Sequence, residues 1–215
     1  MTKIASSILA ADLSKINNEV INVDKAGAEY IHIDVMDGHY VPNISFGPNI
    51  VETLRPLTKK ILDVHLMITP VKPYIKAFID AGADIISFHP EADDNSKTII
   101  ETIKSANCKA GIAIHPNVEI EAIQEFLNDI DLVVVMTVVP GFGGQKFLDT
   151  QLSKINKLYY IRESAKAKFE IEIDGGINEQ TSKQCIANGA DVLVAGSYIY
   201  EGDESEYENL INSIR

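Results

Sequence analysis

Eight short apolar runs recur along the chain, and a segment with apolar residues at helical spacing follows each of them. The alternation of strand and helix predicts an α/β fold with parallel strands joined by crossover helices. Eight such units favour closure into a single (β/α)8 TIM barrel over residues 1–215. A doubly wound open sheet is the alternative that this pattern leaves. The predicted strands are 4–9, 30–36, 61–67, 84–89, 110–115, 132–138, 169–174 and 191–196.

A repeated glycine supports the barrel. Gly27, Gly82 and Gly189 each stand in a short Ala/Asn-Gly-Ala-acid segment just before a predicted strand. Glycine suits a helix end at which the chain turns left-handed before it enters the next strand. The recurrence of this turn indicates stacked βα units of similar length.

The net charge of the chain limits the classes of molecule that it is expected to bind. The chain carries 19 basic and 31 acidic residues, a formal net charge of −12. This charge opposes binding to nucleic acid and to an anionic membrane. No apolar run approaches the ~18–20 residues of a membrane helix. An anionic metabolite would therefore need local backbone amides or a bound cation.

The start of the chain and its cysteines favour a cytoplasmic protein. The apolar stretch from Ile4 to Ala11 contains two serines and ends at Asp12, so we interpret it as a first strand rather than a signal peptide. Cys108 and Cys185 have no CxxC spacing, which fits a reducing compartment.

Polar residues interrupt strands that should be buried. His32 and Asp34 alternate with aliphatic residues on the second strand, as His65 does on the third and Asp174 on the seventh. We expect all four side chains to point into the lumen near the carboxyl ends of their strands, where barrel active sites form. Two imidazoles and two carboxylates suit one divalent metal ion, zinc first, with iron, cobalt or manganese as alternatives.

Glycine-rich turns follow the last three strands. They are Pro140-Gly-Phe-Gly-Gly-Gln145, Asp174-Gly-Gly-Ile177 and Ala195-Gly-Ser-Tyr198. Glycine lets backbone amides approach an anion closely, and barrels often bind phosphate at these loops. The chain has no GxxxxGK[ST] motif and no complete GxGxxG motif, which disfavours nucleotide binding.

Taken together, these residues resemble the ribulose-phosphate 3-epimerase family over essentially the whole chain. The order and spacing of the matching motifs, rather than any one of them, carry the resemblance. The matching stretches are Ser6–Leu9, His32–Gly38, Val41–Asn43, Asp63–Met67, Met136, Pro140–Gln145, Glu172–Gly176 and Ala195–Ser197.

The resemblance implies interconversion of D-ribulose 5-phosphate and D-xylulose 5-phosphate in the pentose phosphate pathway. It implies that Asp34 and Asp174 are the acid/base pair and also metal ligands, together with His32 and His65. The expected partners are a small-molecule sugar phosphate and further copies of the chain. The other implied site residues are Ser7 and His65 at the substrate, Gly141, Phe142, Gly143, Gly144, Gly175, Gly176, Gly196 and Ser197 around its phosphate end, and Met36, Met67 and Met136 around the intermediate.

Three positions depart from common forms of the family pattern. Val139, His115 and Thr137 replace residues that are frequent elsewhere, and we expect them at the barrel mouth. These differences leave the identity of the sugar substrate undetermined, so allulose-6-phosphate 3-epimerase is the nearest alternative activity. A barrel of the orotidine-decarboxylase or hexulose-phosphate synthase type would carry Asp-x-Lys-x-x-Asp, which the strand from Asp63 to Met67 lacks. A non-catalytic sugar-phosphate sensor is the remaining alternative.

Overall fold

Eight parallel strands form a closed ring in the computed structural model, which describes residues 2–215. The first and last strands pair directly, with Ala5 opposite Val194, so no strand edge is left among them. The barrel is confirmed and the open sheet is wrong. The strands are β1 (Lys3–Ser7), β2 (Tyr30–Met36), β3 (Ile61–Met67), β4 (Ile85–Phe88), β5 (Lys109–Ile114), β6 (Leu132–Met136), β7 (Glu170–Asp174) and β8 (Val192–Ala195).

Helices cover the outside of the ring. No helix of the described chain has both the length and the hydropathy to cross a membrane. The α-helices are α1 (Ile16–Lys25), α2 (Pro48–Leu54), α3 (Ile75–Ala81), α4 (Ser96–Ser105), α5 (Leu152–Ala165), α6 (Glu179–Ala187), α7 (Ser197–Tyr200) and α8 (Tyr207–Ser213).

The connection after β5 differs from the other seven. A 3-10 helix over Ile120–Phe126 takes the place of the expected α-helix. Its two buried residues, Ile120 and Ile123, are three positions apart. Residues i and i+3 lie on one line of a 3-10 helix, so this spacing covers β5 and β6 without a full α-helical face.

Several strands are shorter than the apolar runs that predicted them. β1 ends at Ser7 because Ile8–Ala10 form a 3-10 turn. β4 ends at Phe88, which leaves His89 just beyond it. Apolar turn residues that pack on the barrel extend the pattern past the last ladder pair, so hydropathy overestimates strand length.

The repeated glycine has the expected conformation. Gly27, Gly82 and Gly189 have φ of 98°, 102° and 103°. These values lie in the left-handed region that favours glycine. Each residue reverses the chain from a helix into the following strand.

The strands separate two apolar layers. Ile31, Ile33 and other outward side chains pack under the helices. Tyr30, Leu132 and Val134 belong to a second cluster that fills the lumen. Alternation along each strand produces this division, and it leaves the polar faces of β2, β3 and β7 inside the ring.

Candidate active site

Four polar side chains from three strands converge in the lumen. Asp34 stands opposite His65 in the β2–β3 register, and His32 lies two residues deeper on β2. Asp174 ends β7, on the far side of the ring. His32 is the third of the seven residues of β2, so it lies deeper than the strand end at which we expected it. Their ligand atoms all lie within 4.8 Å of one another.

The spacing of these atoms suits a tetrahedral cation. Asp34 Oδ1 is 3.3 Å from both His32 Nε2 and His65 Nδ1. Asp174 Oδ2 is 3.5 Å from His65 Nδ1 and 3.9 Å from His32 Nε2. Ligands about 2.0–2.2 Å from a tetrahedrally coordinated ion stand roughly 3.3–3.6 Å from one another. Three of these four distances fall in that range, and the distance between Asp174 Oδ2 and His32 Nε2 is wider. His32 Nε2 is also buried without a hydrogen-bond partner among residues 2–215. This group of residues can therefore hold a divalent metal ion.

Charge couples the four groups. Burial lowers the pKa of His32 and of His65, but the surrounding carboxylates raise both above the ordinary histidine value. Burial raises the pKa of Asp34, yet the two imidazoles hold it below its usual range. The site therefore requires positive charge, which either two imidazolium protons or one divalent cation supplies.

A second pair of acidic side chains lies beneath this group. Asp63 Oδ2 is 2.7 Å from His32 Nδ1, and Glu172 Oε1 is 3.7 Å from the same nitrogen. Burial, and then the neighbouring Asp63, raise the pKa of Glu172 well above its usual value, which favours the neutral form of its carboxyl group. The Asp63 contact occupies Nδ1 of His32 and leaves Nε2 to the four-residue group above. Both residues alternate with aliphatic residues on β3 and β7, and this alternation is the sequence signal that could have identified them.

A cavity of about 350 Å³ opens above these side chains at the carboxyl ends of the strands. Every candidate site residue lines it except His32 and His65, which are fully buried below. Ser7 Oγ donates to Asp34 Oδ2 at 2.8 Å and so ties β1 to the site. The candidates that line the cavity are Ser7, Asp34, Met36, Met67, Met136, Gly141, Phe142, Gly143, Gly144, Asp174, Gly175, Gly176, Gly196 and Ser197.

The glycine-rich turns form one side of the cavity and present backbone groups to it. Gly176 has φ of 67°, and a Cβ there would lie 2.7 Å from the backbone nitrogen of Phe147. A Cβ on Gly143 would meet no heavy atom within 4 Å. No backbone carbonyl of residues 2–215 accepts a hydrogen bond from the amides of Gly143, Gly176 or Gly196. Such amides are suited to binding an anion.

Side-chain hydrogen bonds hold two of the turns in shape. Gln145 Nε2 donates to the carbonyls of Val139 and Phe142 at 2.6 and 2.7 Å. Asn43 Nδ2 donates to the carbonyl of Gly141 at 2.8 Å. After β7, Asn178 caps α6 by accepting from the amide of Gln180 at 2.9 Å. These hydrogen bonds fix the backbone of the turns. The glycines can therefore leave the backbone amides accessible from the cavity while the turns stay ordered.

The three methionines divide between two walls. Met36 and Met67 pack with Val41 in one cluster, whereas Met136 packs with the apolar residues of the lumen, Val134 among them. All three border the same cavity. They give it a flexible apolar lining beside the polar floor.

Two polar residues near the site escaped the sequence analysis. Ser45 Oγ donates to the carbonyl of Asp34 at 2.5 Å and accepts from the amide of Met36 at 3.0 Å. Ser45 lies in a loop, so strand alternation offered no signal for it. His89 is fully buried, with Nε2 3.0 Å from Nε2 of His65. It continues the face of Ser87, and that alternation was the signal available for it.

The three departures from the family pattern do not line the cavity. Val139 is about half exposed. Thr137 is buried, and its hydroxyl donates to the carbonyl of Gly175 at 2.6 Å. His115 lies after β5, where Lys154 Nζ is 3.4 Å from its carbonyl. His115, Thr137 and Val139 follow β5 and β6 at the carboxyl end of the barrel, where the mouth was expected, but other residues line the cavity itself.

Comparison with known proteins agrees with this site. The model of the ribulose-phosphate 3 epimerase family matches residues 3–200. The ribulose-phosphate 3-epimerase of Bacillus subtilis (strain 168) is 48% identical over 100% of this chain and 99% of its own length. That of Rhodobacter capsulatus is 45% identical over 93% of this chain and 86% of its own. The chain belongs to the ribulose-phosphate 3-epimerase family. The resemblance found in the sequence is thereby confirmed, and the chain is an isomerase.

Solved structures of more distant proteins share only the fold with this chain. The 3-keto-L-gulonate-6-phosphate decarboxylase of Vibrio cholerae superposes with a TM-score of 0.75 at 16% identity, over 100% of this chain and 95% of that one. The 3-hexulose-6-phosphate synthase of Salmonella typhimurium gives 0.73 at 19% identity, over 99% and 96%. At these identities the likeness shows a shared barrel. The third strand of this chain carries His65 and no lysine.

Proposed function

We propose that the chain inverts C3 of a ketose phosphate, interconverting D-ribulose 5-phosphate and D-xylulose 5-phosphate. The observation that carries this proposal is the approach of two carboxylates from β2 and β7 to one imidazole nitrogen. Asp34 Oδ1 and Asp174 Oδ2 lie 3.3 and 3.5 Å from His65 Nδ1 at the floor of the cavity. Inversion requires a base on one face of the carbon and an acid on the other, which one carboxylate alone does not provide.

In the proposed reaction one aspartate removes the C3 proton and leaves an enediolate. The other aspartate delivers a proton to the opposite face. The lowered pKa of Asp34 keeps its carboxylate ionised at neutral pH. Ser7, which donates to Asp34 Oδ2 at 2.8 Å, orients that carboxylate.

The proposal includes one divalent ion per chain, held by His32, Asp34, His65 and Asp174. Their mixed nitrogen and oxygen donors and near-tetrahedral spacing favour zinc, with iron, cobalt or manganese as alternatives. When bound, the cation stabilises the negative charge that develops on the substrate oxygens.

The phosphate end is assigned to the glycine turns. With a net charge of −12, the protein repels an anion at long range, so the attraction has to be local. Gly143, Gly176 and Gly196, whose amides donate to no backbone carbonyl of residues 2–215, line the same cavity as Asp34. Met36 and other apolar lining residues exclude water from the reacting carbon.

We further propose that residues 1–215 are one catalytic domain that acts in the cytoplasm, in the pentose phosphate pathway, as a homo-oligomer. The names of the relatives support the pathway, since they act on ribulose phosphate. Buried, unpaired Cys108 and Cys185 support a reducing compartment. Light scattering together with fractionation of the native cells tests the assembly and the location.

Hydrogen exchange in heavy water tests the two-base mechanism. Asp34→Asn and Asp174→Asn should each exchange the C3 hydrogen of only one ketose phosphate, with opposite preference, because the remaining carboxylate reaches one face. Metal content is measured first, since both residues are assigned as ligands. Equal exchange of both epimers by metal-replete variants would refute the assignment.

Turnover assays settle the sugar. Activity with D-ribulose 5-phosphate well above that with D-allulose 6-phosphate supports the proposed substrate. The reverse preference would replace it with the six-carbon sugar. Binding of both without turnover would indicate a sensor.

A further inference from the structure

His89 is a buried imidazole that the reaction described above leaves without a role. It directly follows β4, with extended backbone at φ −88° and ψ 122°, and it has no solvent exposure. Its Nε2 is 3.0 Å from Nε2 of His65, and the two ring centroids are 5.1 Å apart. It therefore contacts the far side of a histidine whose other nitrogen faces the two aspartates.

The proton between these rings can be assigned by counting. Two imidazole nitrogens 3.0 Å apart share one hydrogen, carried by either ring. His65 Nδ1 faces Asp34 and Asp174, and a nitrogen that ligates a metal ion must carry no proton. A neutral His65 then carries its hydrogen on Nε2. His89 Nε2 must accept it.

The surroundings of His89 favour this arrangement. If its Nε2 accepts, its hydrogen is on Nδ1, which is 3.6 Å from Oε1 of Glu91. The hydroxyl of Tyr40 donates to the same Glu91 oxygen at 2.9 Å. The Tyr40 ring lies over His89 with a centroid separation of 4.8 Å. A carboxylate on the Nδ1 side stabilises the Nδ1–H tautomer, and the tyrosine fixes both partners.

We propose that His89 is a positioning residue that selects the tautomer of His65 and so presents His65 Nδ1 to the metal ion, with Glu91 and Tyr40 holding His89 in turn. This role rests on the proposed metal site. His32 is held in the opposite sense, since Asp63 occupies its Nδ1 and leaves Nε2 for the ion. The two histidine ligands thus use different ring nitrogens, Nε2 in His32 and Nδ1 in His65. In each ring, the residue that contacts the second nitrogen determines which nitrogen is left for the ion.

Paired substitutions of His89 test the role through metal affinity. His89→Leu keeps the volume but removes the acceptor, whereas His89→Gln can accept through its amide oxygen. Zinc affinity is measured by competition with a chromophoric chelator. His89→Leu should bind zinc about 10–100-fold more weakly than wild type, and His89→Gln should retain most of the affinity. Ser87→Ala is the matched control and should bind as wild type, because it is a buried change two residues earlier, on β4, at a hydroxyl with no partner among the described residues.

The outcomes separate this role from packing and from the metal site itself. Equal weakening by Leu and Gln would mean that His89 acts by packing, and unchanged affinity in His89→Leu would overturn its role outright. Wild-type protein that binds no divalent ion would overturn the metal site and this role with it. Nitrogen NMR of the zinc-loaded wild type gives a second measurement that does not depend on the folding of any variant. It should show His65 protonated at Nε2, and a proton on Nδ1 would refute the inference.

Discussion

The two ends of the barrel use similar polar side chains in opposite ways. At the amino ends of the strands, Tyr30 donates to Glu170 Oε2 at 2.8 Å and accepts from Lys3 Nζ at 3.0 Å, and Lys3 also pairs with Glu170. Each group there has a partner. Toward the carboxyl ends, His32 Nε2 and the amides of Gly143, Gly176 and Gly196 have no hydrogen-bond partner within residues 2–215.

This difference in hydrogen-bond partners indicates that one end of the barrel contributes to stability and the other to the chemistry of the site. A satisfied ion pair contributes a small stabilisation and has no capacity left for a ligand. A buried group without a partner costs free energy until a ligand completes it. The amino ends of the strands, called the closed end below, therefore contribute to the stability of the barrel. The carboxyl ends, called the open end, keep their polar groups available for an ion and an anion. The predictions that follow test whether this separation holds.

The largest effect is expected at the open end. Asp34→Asn and Asp174→Asn should each lower kcat by about 10²–10⁴-fold, because general acid–base catalysis contributes that much. The measurement is steady-state turnover on protein of known metal content. Glu170→Gln at the closed end is the matched carboxylate control and should turn over as wild type. A comparable fall in its kcat would abolish the distinction between the ends.

Two glycines sharpen the comparison within the open end. Gly176→Ala should lower the free energy of unfolding by about 1–3 kcal/mol, because its Cβ would meet the Phe147 backbone at a positive φ. Gly143→Val should leave unfolding unchanged, since its Cβ has open space. It should raise KM about tenfold, or ~1.4 kcal/mol, because the valine side chain would crowd the approach of the phosphate to the Gly143 amide. Denaturant titration and kinetics check both variants. Normal KM in Gly143→Val would move the phosphate elsewhere.

A smaller effect is expected at the closed end. Tyr30→Phe removes the hydroxyl that links Lys3 to Glu170, and the free energy of unfolding should fall by ~1 kcal/mol. Thermal unfolding should show Tm lower by about 2–4 °C with kcat unchanged. Reduced turnover at an unchanged Tm would show that this end communicates with the site.

The smallest effect is a pH dependence of the same ion pair. Burial raises the pKa of Glu170, but Lys3 and Tyr30 bring it below its usual value. Its stabilisation is therefore present above the unfolded pKa of about 4.3 and is lost as the pH falls through the lower folded pKa. The Tm difference between wild type and Glu170→Gln should shrink over that range. Glu121→Gln, in an exposed pair with Lys157, should change Tm less at every pH. A constant difference for Glu170→Gln would contradict this account.

Much of this protein follows from its sequence alone. The alternation along β2 and β7 determined that Asp34 and Asp174 face the lumen, because successive side chains on a strand point to opposite sides. The glycine pattern identified the turns around the cavity, since a positive φ and a close backbone approach both restrict the residue to glycine. Eight βα units predicted the barrel that the structure contains.

The tertiary structure decided what depends on contacts between distant residues. Pairing of β1 with β8 closes the ring, and no local pattern encodes that pairing. Which ring nitrogen of His32 and of His65 faces the aspartates is a matter of rotamer, set by Asp63 on the next strand and by His89 beyond β4. A sequence period specifies the side of a strand on which a side chain lies, but the orientation of an imidazole ring depends on its packed neighbours. The sequence therefore predicts which four residues converge in the lumen, and the fold decides their geometry and adds Asp63, Ser45 and His89 around them.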